Sequence, residues 1–152
     1  MRAGRAISLL FGIGLLFPSC EQLDYDFPRT RAEILRPKTW IIKDLLLTTP
    51  GVNGGGSVFA ILYDACERDN EYRFRSEGQL FIGEGGRKCN AADPKTVKGT
   101  WTLRDELFLD INAPGDTISL VIEELTDQNM RAYFDSPSGT GIDRYTFIFS
   151  AK

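Results

Sequence analysis

The 152-residue chain contains no histidine, which excludes the usual general base, the usual zinc ligand and a Ser-His-Asp relay. It has only three cysteines, and no two of them have the C-x-x-C spacing of a thiol redox site. The glycine-rich stretch at 52–57 lacks the Gly-Lys-Ser/Thr ending of a phosphate-binding loop. These absences exclude most hydrolase mechanisms. We predict a protein that is not an enzyme and that holds neither a metal nor a cofactor.

Carboxylates are the remaining candidates for chemistry. Asp110, Asn112 and Asp116 have the composition of a calcium loop, but Pro114 occupies a ligand position and the closing glutamate is missing. Turns use Asp, Asn, Pro and Gly for backbone reasons alone, so a turn is the favoured interpretation and a calcium site the alternative. We expect Glu123–Glu124 to be solvated charges rather than a catalytic pair.

No apolar run reaches the roughly 20 residues that a membrane-spanning helix needs. The longest, AISLLFGIGLLF at 6–17, follows two arginines and precedes Pro18-Ser19-Cys20. A charged start, a short apolar core and a small residue before cysteine are typical of a secretory signal. Residues 16–20 resemble a bacterial lipobox, in which the cysteine becomes the diacylated first residue of the mature protein. We therefore predict lipidation at Cys20.

This interpretation divides the chain into a lipoprotein signal peptide at 1–19, an acidic tether at 20–31 and a single domain at 32–152. Without residues 1–19, 16 basic residues remain against 21 acidic ones, and the formal charge becomes −5. An acidic domain disfavours nucleic acid as a partner. The chain length suits one sizeable hydrophobic core.

Cys66 and Cys89 remain as an even pair once Cys20 is assigned to lipid. Paired cysteines in an exported protein favour a disulfide. The bond would close a loop of roughly 24 residues and stabilise the fold by roughly 3 to 4 kcal/mol in the chain-entropy model. We predict that these two cysteines are bonded.

A β-hairpin dominates the centre of the chain. Trp101 and Leu103, then Leu107, Leu109 and Ile111, fall at every second position on either side of a charged turn. This alternation predicts two strands with one apolar face.

Further strands are predicted on both sides of this hairpin. They are Trp40–Leu47, Val58–Tyr63, Glu71–Arg75, Leu80–Ile82, Ile118–Ile122, Met130–Phe134 and Tyr145–Phe149. One helical turn precedes them, with Thr30 as its cap, Glu33 in capping-box position and Pro37 as its end. About eight or nine short strands with little helical periodicity predict an all-β protein, either an antiparallel sandwich or a barrel.

Several motifs resemble the lipocalin-like domains of bacterial envelope lipoproteins, which are small calycin-type β-barrels. They are Cys66–Asn70, the Tyr72 and Phe74 alternation, Ser76-Glu77-Gly78, Lys88-Cys89 with Asp93-Pro94, and Gly99-Thr100-Trp101. The resemblance covers about residues 32–150. It implies an antiparallel up-and-down β-barrel of about eight or nine strands, preceded by the short helical turn.

An aromatic set is predicted to point into the barrel lumen. Its members are Trp40, Phe59, Tyr72, Phe74, Trp101, Tyr145, Phe147 and Phe149. A barrel of eight strands is either filled by its own side chains or holds one small ligand. The hydroxyls of Tyr72 and Tyr145 are the candidate polar groups for a ligand.

Two functions follow from these alternatives. The first is an envelope-anchored binding module for a small hydrophobic or amphiphilic ligand. The second is a structural or interaction lipoprotein with a filled barrel, which contacts another envelope protein through the loops 51–57 and 135–141. In both, the N-terminal lipid places the protein on the outer membrane of a bacterial cell envelope, on the periplasmic or the surface side.

Overall fold

A computed structural model describes residues 28–139 and 141–152. The predicted signal peptide, Cys20 and the tether as far as residue 27 lie outside these residues. Within them, no helix combines the length and the apolar character needed to cross a membrane.

The described residues form nine strands, with two short helices and one 3-10 turn among them. In chain order the elements are α1 (Arg31–Leu35), β1 (Trp40–Thr48), β2 (Gly56–Ser57), α2 (Phe59–Leu62), β3 (Glu71–Phe74), a 3-10 turn (Ser76–Gly78), β4 (Gln79–Gly83), β5 (Thr96–Arg104), β6 (Phe108–Ala113), β7 (Asp116–Leu125), β8 (Asn129–Ser138) and β9 (Gly141–Ala151). Strands therefore dominate, as the two-residue alternation predicted.

The strands close into a barrel. From β3 to β9 each strand pairs antiparallel with the next, and β1 pairs with both β3 and β9. β2 adds a two-residue pairing with the end of β1, where Leu46 faces Ser57 and Leu47 faces Gly56. Eight strands thus form a closed barrel with one extra short strand, which confirms the predicted antiparallel up-and-down β-barrel.

One end of the barrel is filled. We call it the closed end; it is formed by α1 together with the β5–β6 and β7–β8 turns. Thr30 and Glu33 form a complete capping box that begins α1, and the helix buries Leu35.

The Trp40 indole N–H donates to the Leu35 carbonyl at 3.1 Å. The Trp101 indole N–H donates to the Arg75 carbonyl at 2.9 Å. Each buried indole is therefore paired with a backbone carbonyl, as a buried polar group requires.

The end of the predicted tether contacts the closed end. The Arg29 guanidinium forms a two-pronged ion pair with Asp127 in the β7–β8 turn. The backbone N–H of Arg31 donates to the Glu106 carboxylate at 2.8 Å. Residues counted with the tether are thus fixed against two turns of the barrel.

The predicted strand Val58–Tyr63 is wrong. The Val58 N–H still pairs with the Leu45 carbonyl at 2.8 Å, but the next N–H groups bond back to Val58 and Phe59, and Phe59–Leu62 forms α2. Ile61 is 78% exposed. A continuous apolar run of this length fits a strand or a helix equally, because periodicity does not separate the two.

Three boundaries also differ from prediction. The predicted glycine-rich loop contains a pairing strand, because Gly56 and Ser57 bond to β1. Leu107 lies in the β5–β6 turn and is exposed, since its N–H closes the turn on the Arg104 carbonyl. The predicted loop at 135–141 is largely strand, because β8 continues through Ser138 in register with β9.

Candidate functional site

The other end of the barrel contains a cavity of about 280 Å³. We call this the open end; it is formed by the segment 63–70, the β4–β5 loop and the β6–β7 turn. The cavity is lined by Ile42, Tyr63, Glu67, Asn70, Tyr72, Ile82, Val97, Ile111, Ala113, Pro114, Asp116, Ile118, Leu120, Phe147 and Phe149. Most of these side chains are apolar, so the cavity suits an apolar molecule.

The floor of the cavity belongs to the barrel core. Ile42, Leu120 and Phe149 are buried, and they lie on β1, β7 and β9. Phe149 meets the Tyr72 ring edge to face, with 6.1 Å between ring centroids. Because side chains alternate along each strand, these residues point inward at positions where no larger side chain fills the lumen.

The polar lining is concentrated at the mouth. Tyr63, Glu67 and Asn70 come from the segment that leads into β3, while Tyr72 is near the start of β3 and Asp116 is the first residue of β7. An amphiphilic molecule would therefore place its apolar part against the floor and its polar part at the mouth.

Two of these polar groups have defined surroundings. The Glu67 carboxylate accepts the Asp64 backbone N–H at 2.8 Å, which holds the segment in a turn. The Asn70 side-chain carbonyl oxygen is buried without a hydrogen-bond partner among the described residues. A buried acceptor without a partner costs stability, and a ligand that donates a hydrogen bond would remove that cost.

The two tyrosines at the mouth experience negative charge. Burial raises the pKa of Tyr72 above its usual value, and Tyr63, Glu67 and Asp116 raise it further. Burial also raises the pKa of Tyr63, with added contributions from Asp116 and Glu67. Both phenols are therefore neutral hydroxyls at neutral pH, and the carboxylates at the mouth are close enough to influence them.

The mouth is held by a disulfide and by an arginine. Cys66 and Cys89 are bonded, with 5.1 Å between their Cα atoms, as predicted. The bond ties the segment 63–70 to the loop between β4 and β5. The Arg68 guanidinium donates to the carbonyls of Tyr63 and Ala60, each at 3.0 Å. The polar wall of the cavity is thus fixed even though it has no regular secondary structure.

The predicted lumen residues separate into two groups. Tyr72, Phe147 and Phe149 line the cavity. Trp40, Phe74 and Trp101 fill the core instead, and the Phe74 and Trp101 rings meet edge to face at 5.4 Å.

The two remaining candidates lie elsewhere. Phe59 is on α2, not on a strand, and its ring is 5.2 Å from that of Tyr63. Tyr145 stacks on Phe134 at 4.9 Å and does not line the cavity. Of the two hydroxyls proposed as polar groups, the structure places only that of Tyr72 at the cavity.

Sequence reasoning missed the rest of the polar mouth. Tyr63 was assigned to the incorrect strand, and Glu67 and Asn70 were noted only as part of the motif Cys66–Asn70, with no role in binding. The predicted disulfide was the signal that could have led to Glu67 and Asn70, because a bond at Cys66 fixes the neighbouring residues close to the barrel.

No group of three or more metal-ligating side chains suited to a metal ion occurs within 28–139 and 141–152. Asp110, the first residue of the alternative calcium loop, is engaged by other groups. Its carboxylate accepts from Arg104 at 2.5 Å and from the Ser119 hydroxyl at 2.6 Å. The bonds from Arg104 and Ser119 lower the pKa of Asp110 to about 2.

No protein-family model matches the chain, and no curated protein matches it. Among solved structures, the chain is similar to bovine odorant-binding protein, determined in complex with a selenium-containing odorant. The two share 16% sequence identity over 84% of this chain and 76% of that chain, with a TM-score of 0.45. The fold described above rests on strand pairing and not on this likeness.

Proposed function

We propose that the protein is a non-catalytic binding module that holds a small hydrophobic or amphiphilic molecule in the cavity at the open end. The observation that carries this proposal is the cavity itself, an apolar space of about 280 Å³ with its polar groups confined to the mouth. A barrel that served only as a scaffold would gain stability by filling this space, since cavities cost packing energy.

The volume limits the size of the ligand. An engineered apolar cavity of about 150 Å³ binds benzene. Pockets for drug-sized ligands begin at about 300 Å³. The cavity of about 280 Å³ lies near that lower bound. A molecule with the bulk of about two or three aromatic rings, or a short alkyl chain, therefore fits it.

The proposal is tested with N-phenyl-1-naphthylamine, an uncharged probe whose fluorescence rises in apolar surroundings. We expect saturable binding and a rise in melting temperature with probe concentration. Ile118→Trp should abolish binding, because Ile118 lines the cavity. Thr117→Trp is the matched control, since Thr117 is exposed on the same strand and does not line the cavity. Absence of saturable binding to the parent protein would contradict the proposal.

The site of action is the second part of the proposal. We infer a lipoprotein of the bacterial outer membrane, supported by the signal-like residues 1–19 and the lipobox-like residues 16–20. Labelled fatty acid should be incorporated into the parent protein and not into Cys20→Ser, and the variant should leave the membrane fraction. A Cys20→Ser variant that is processed and retained like the parent would contradict the anchor.

Exposed apolar side chains support an interaction protein as the second candidate. Ile61 and Leu62 are exposed on α2, and Val52 and Ile142 are exposed in the loop after β1 and at the start of β9. Exposed apolar side chains occur at contact surfaces when they lie together. If the probe does not bind, Ile61→Ser with Leu62→Ser should weaken cross-linking to an envelope protein without lowering the melting temperature.

A further inference from the structure

The charge of the cavity lining is of one sign. Glu67 and Asp116 are the charged residues among its described lining side chains, and no lysine or arginine is included. The whole chain, by contrast, has 18 basic residues against 21 acidic ones. A ligand at the mouth would therefore meet negative charge and no opposing cation from the lining.

The nearest cations are directed elsewhere. Arg68 donates to two backbone carbonyls and borders a separate groove with Asp69 and Arg87. Lys152 pairs with the Glu71 carboxylate at 2.6 Å. Arg73, on the strand that carries Tyr72, lines an outer groove of the sheet instead of the cavity.

The uncharged polar groups at the mouth can accept hydrogen bonds. The Asn70 side-chain oxygen is buried and without a partner among the described residues. The hydroxyls of Tyr63 and Tyr72 each have acceptor lone pairs. An ammonium group has three N–H donors and can therefore bond to the unpartnered Asn70 oxygen as well as to the two hydroxyls. A carboxylate has acceptors only, so it can accept from the hydroxyls but leaves the Asn70 oxygen without a partner.

We infer that the cavity selects small apolar molecules that carry a protonated amine, and that it discriminates against carboxylates of the same shape. The inference rests on the proposed binding function and names the ligand class for the same cavity. In the bound state the apolar part lies against Ile42, Leu120 and Phe149, and the ammonium group lies at the mouth beside Glu67 and Asp116.

The size of the preference follows from electrostatics. Two charges at a protein surface interact more strongly than in bulk water, because the effective dielectric there is lower. Reversing the charge of the ligand changes attraction into repulsion. An amine should therefore bind at least about tenfold more tightly than the matched carboxylate, with the neutral alcohol between them.

The experiment displaces N-phenyl-1-naphthylamine at pH 7 and low salt with three matched compounds: 3-phenylpropylamine, 3-phenylpropanol and 3-phenylpropanoate. We expect affinity to fall in that order. The double variant Glu67→Gln and Asp116→Asn should lose most of the amine's advantage over the alcohol and the carboxylate. Glu124→Gln is the control, because it removes a carboxylate from the same strand as Asp116 outside the cavity.

Each outcome has a defined meaning. Probe binding with the carboxylate equal to or tighter than the amine overturns the amine inference and leaves the binding function intact. An amine preference that survives in the double variant overturns the role of the two carboxylates. No binding of the probe or of any of the three compounds overturns the binding function and the inference with it. The three-compound series on the parent protein needs no variant, so misfolding of the double variant does not affect that arm.

Discussion

The two ends of the barrel are built from the same strands but packed in opposite ways. At the closed end, Trp40 and Trp101 occupy the core and each indole bonds to a backbone carbonyl. At the open end, medium-sized side chains such as Ile42 and Ile118 leave a cavity of about 280 Å³. The two tryptophans thus fill the closed end, whereas the open end keeps space between its side chains although Tyr72, Phe147 and Phe149 also line it. The difference separates a part that is packed for stability from a part that leaves room for the proposed ligand.

The largest expected effect on the free energy of unfolding comes from truncating a large side chain at the closed end. Trp101→Ala should lower the free energy of unfolding by about 3 to 5 kcal/mol, because the side chain is 4% exposed and its removal leaves a cavity. Ile118→Ala at the open end should cost less than about 2 kcal/mol, since Ile118 already borders empty space. Urea unfolding measures both.

The contrast extends to binding. Folded Trp101→Ala should retain the parent's affinity for N-phenyl-1-naphthylamine, because Trp101 does not line the cavity. Trp101→Phe keeps an aromatic ring and serves as the milder variant if the alanine variant does not fold. Equal costs at the two ends would show that the open end is packed as tightly as the closed one.

Removing the disulfide tests whether the open end needs a covalent bond for its stability and for the position of the mouth residues. Replacing both Cys66 and Cys89 by serine should lower the free energy of unfolding by about 3 kcal/mol, because the unfolded chain gains the freedom of the opened loop. Probe affinity should fall as well, since Tyr63, Glu67 and Asn70 belong to the segment that the bond holds. Trp101→Phe is the reference, as it leaves this segment unchanged. Unchanged affinity in the serine variant would mean that the strands alone position the mouth.

The smallest expected effect is a pH dependence at the closed end. Hydrogen bonds from Arg29 and Lys38 lower the pKa of Asp127 to about 2 from an ordinary 3.8. A lowered carboxyl pKa gives stability that is complete above the ordinary pKa and is lost as the pH falls through the folded-state value. Asp127→Asn should therefore flatten the decline of melting temperature between about pH 4 and pH 2. Arg29→Gln should have the same effect, and an unchanged slope in both would contradict the assignment.

The sequence predicted the strands because a strand leaves a two-residue pattern, while the choice of a barrel over a sandwich came from the resemblance. Tyr72 and Phe74 on β3, or Leu109 and Ile111 on β6, alternate with polar neighbours, and that alternation indicates which side chains share a face. The disulfide was predictable because two cysteines remained for one bond. Val58–Tyr63 was assigned incorrectly because an unbroken apolar run carries no period.

The cavity was only partly predictable, for a different reason. The alternation of side chains correctly indicated that Tyr72 and Phe147 point into the barrel. It gave the same result for Trp40 and Trp101, which fill the core and do not line the cavity. Whether an inward side chain fills the core or lines a space depends on the neighbours that it meets across the barrel. Glu67 and Asn70 lie in irregular structure, where no periodicity in the sequence indicates which way a side chain points.

The described chain begins at the closed end of the barrel, where Arg29 and Arg31 contact the β7–β8 and β5–β6 turns. The nine residues from Cys20 to Pro28 can span at most about 30 Å. In the proposed lipoprotein, a lipid at Cys20 would therefore be attached within that distance of the filled end, and the cavity mouth would lie at the opposite end of the barrel.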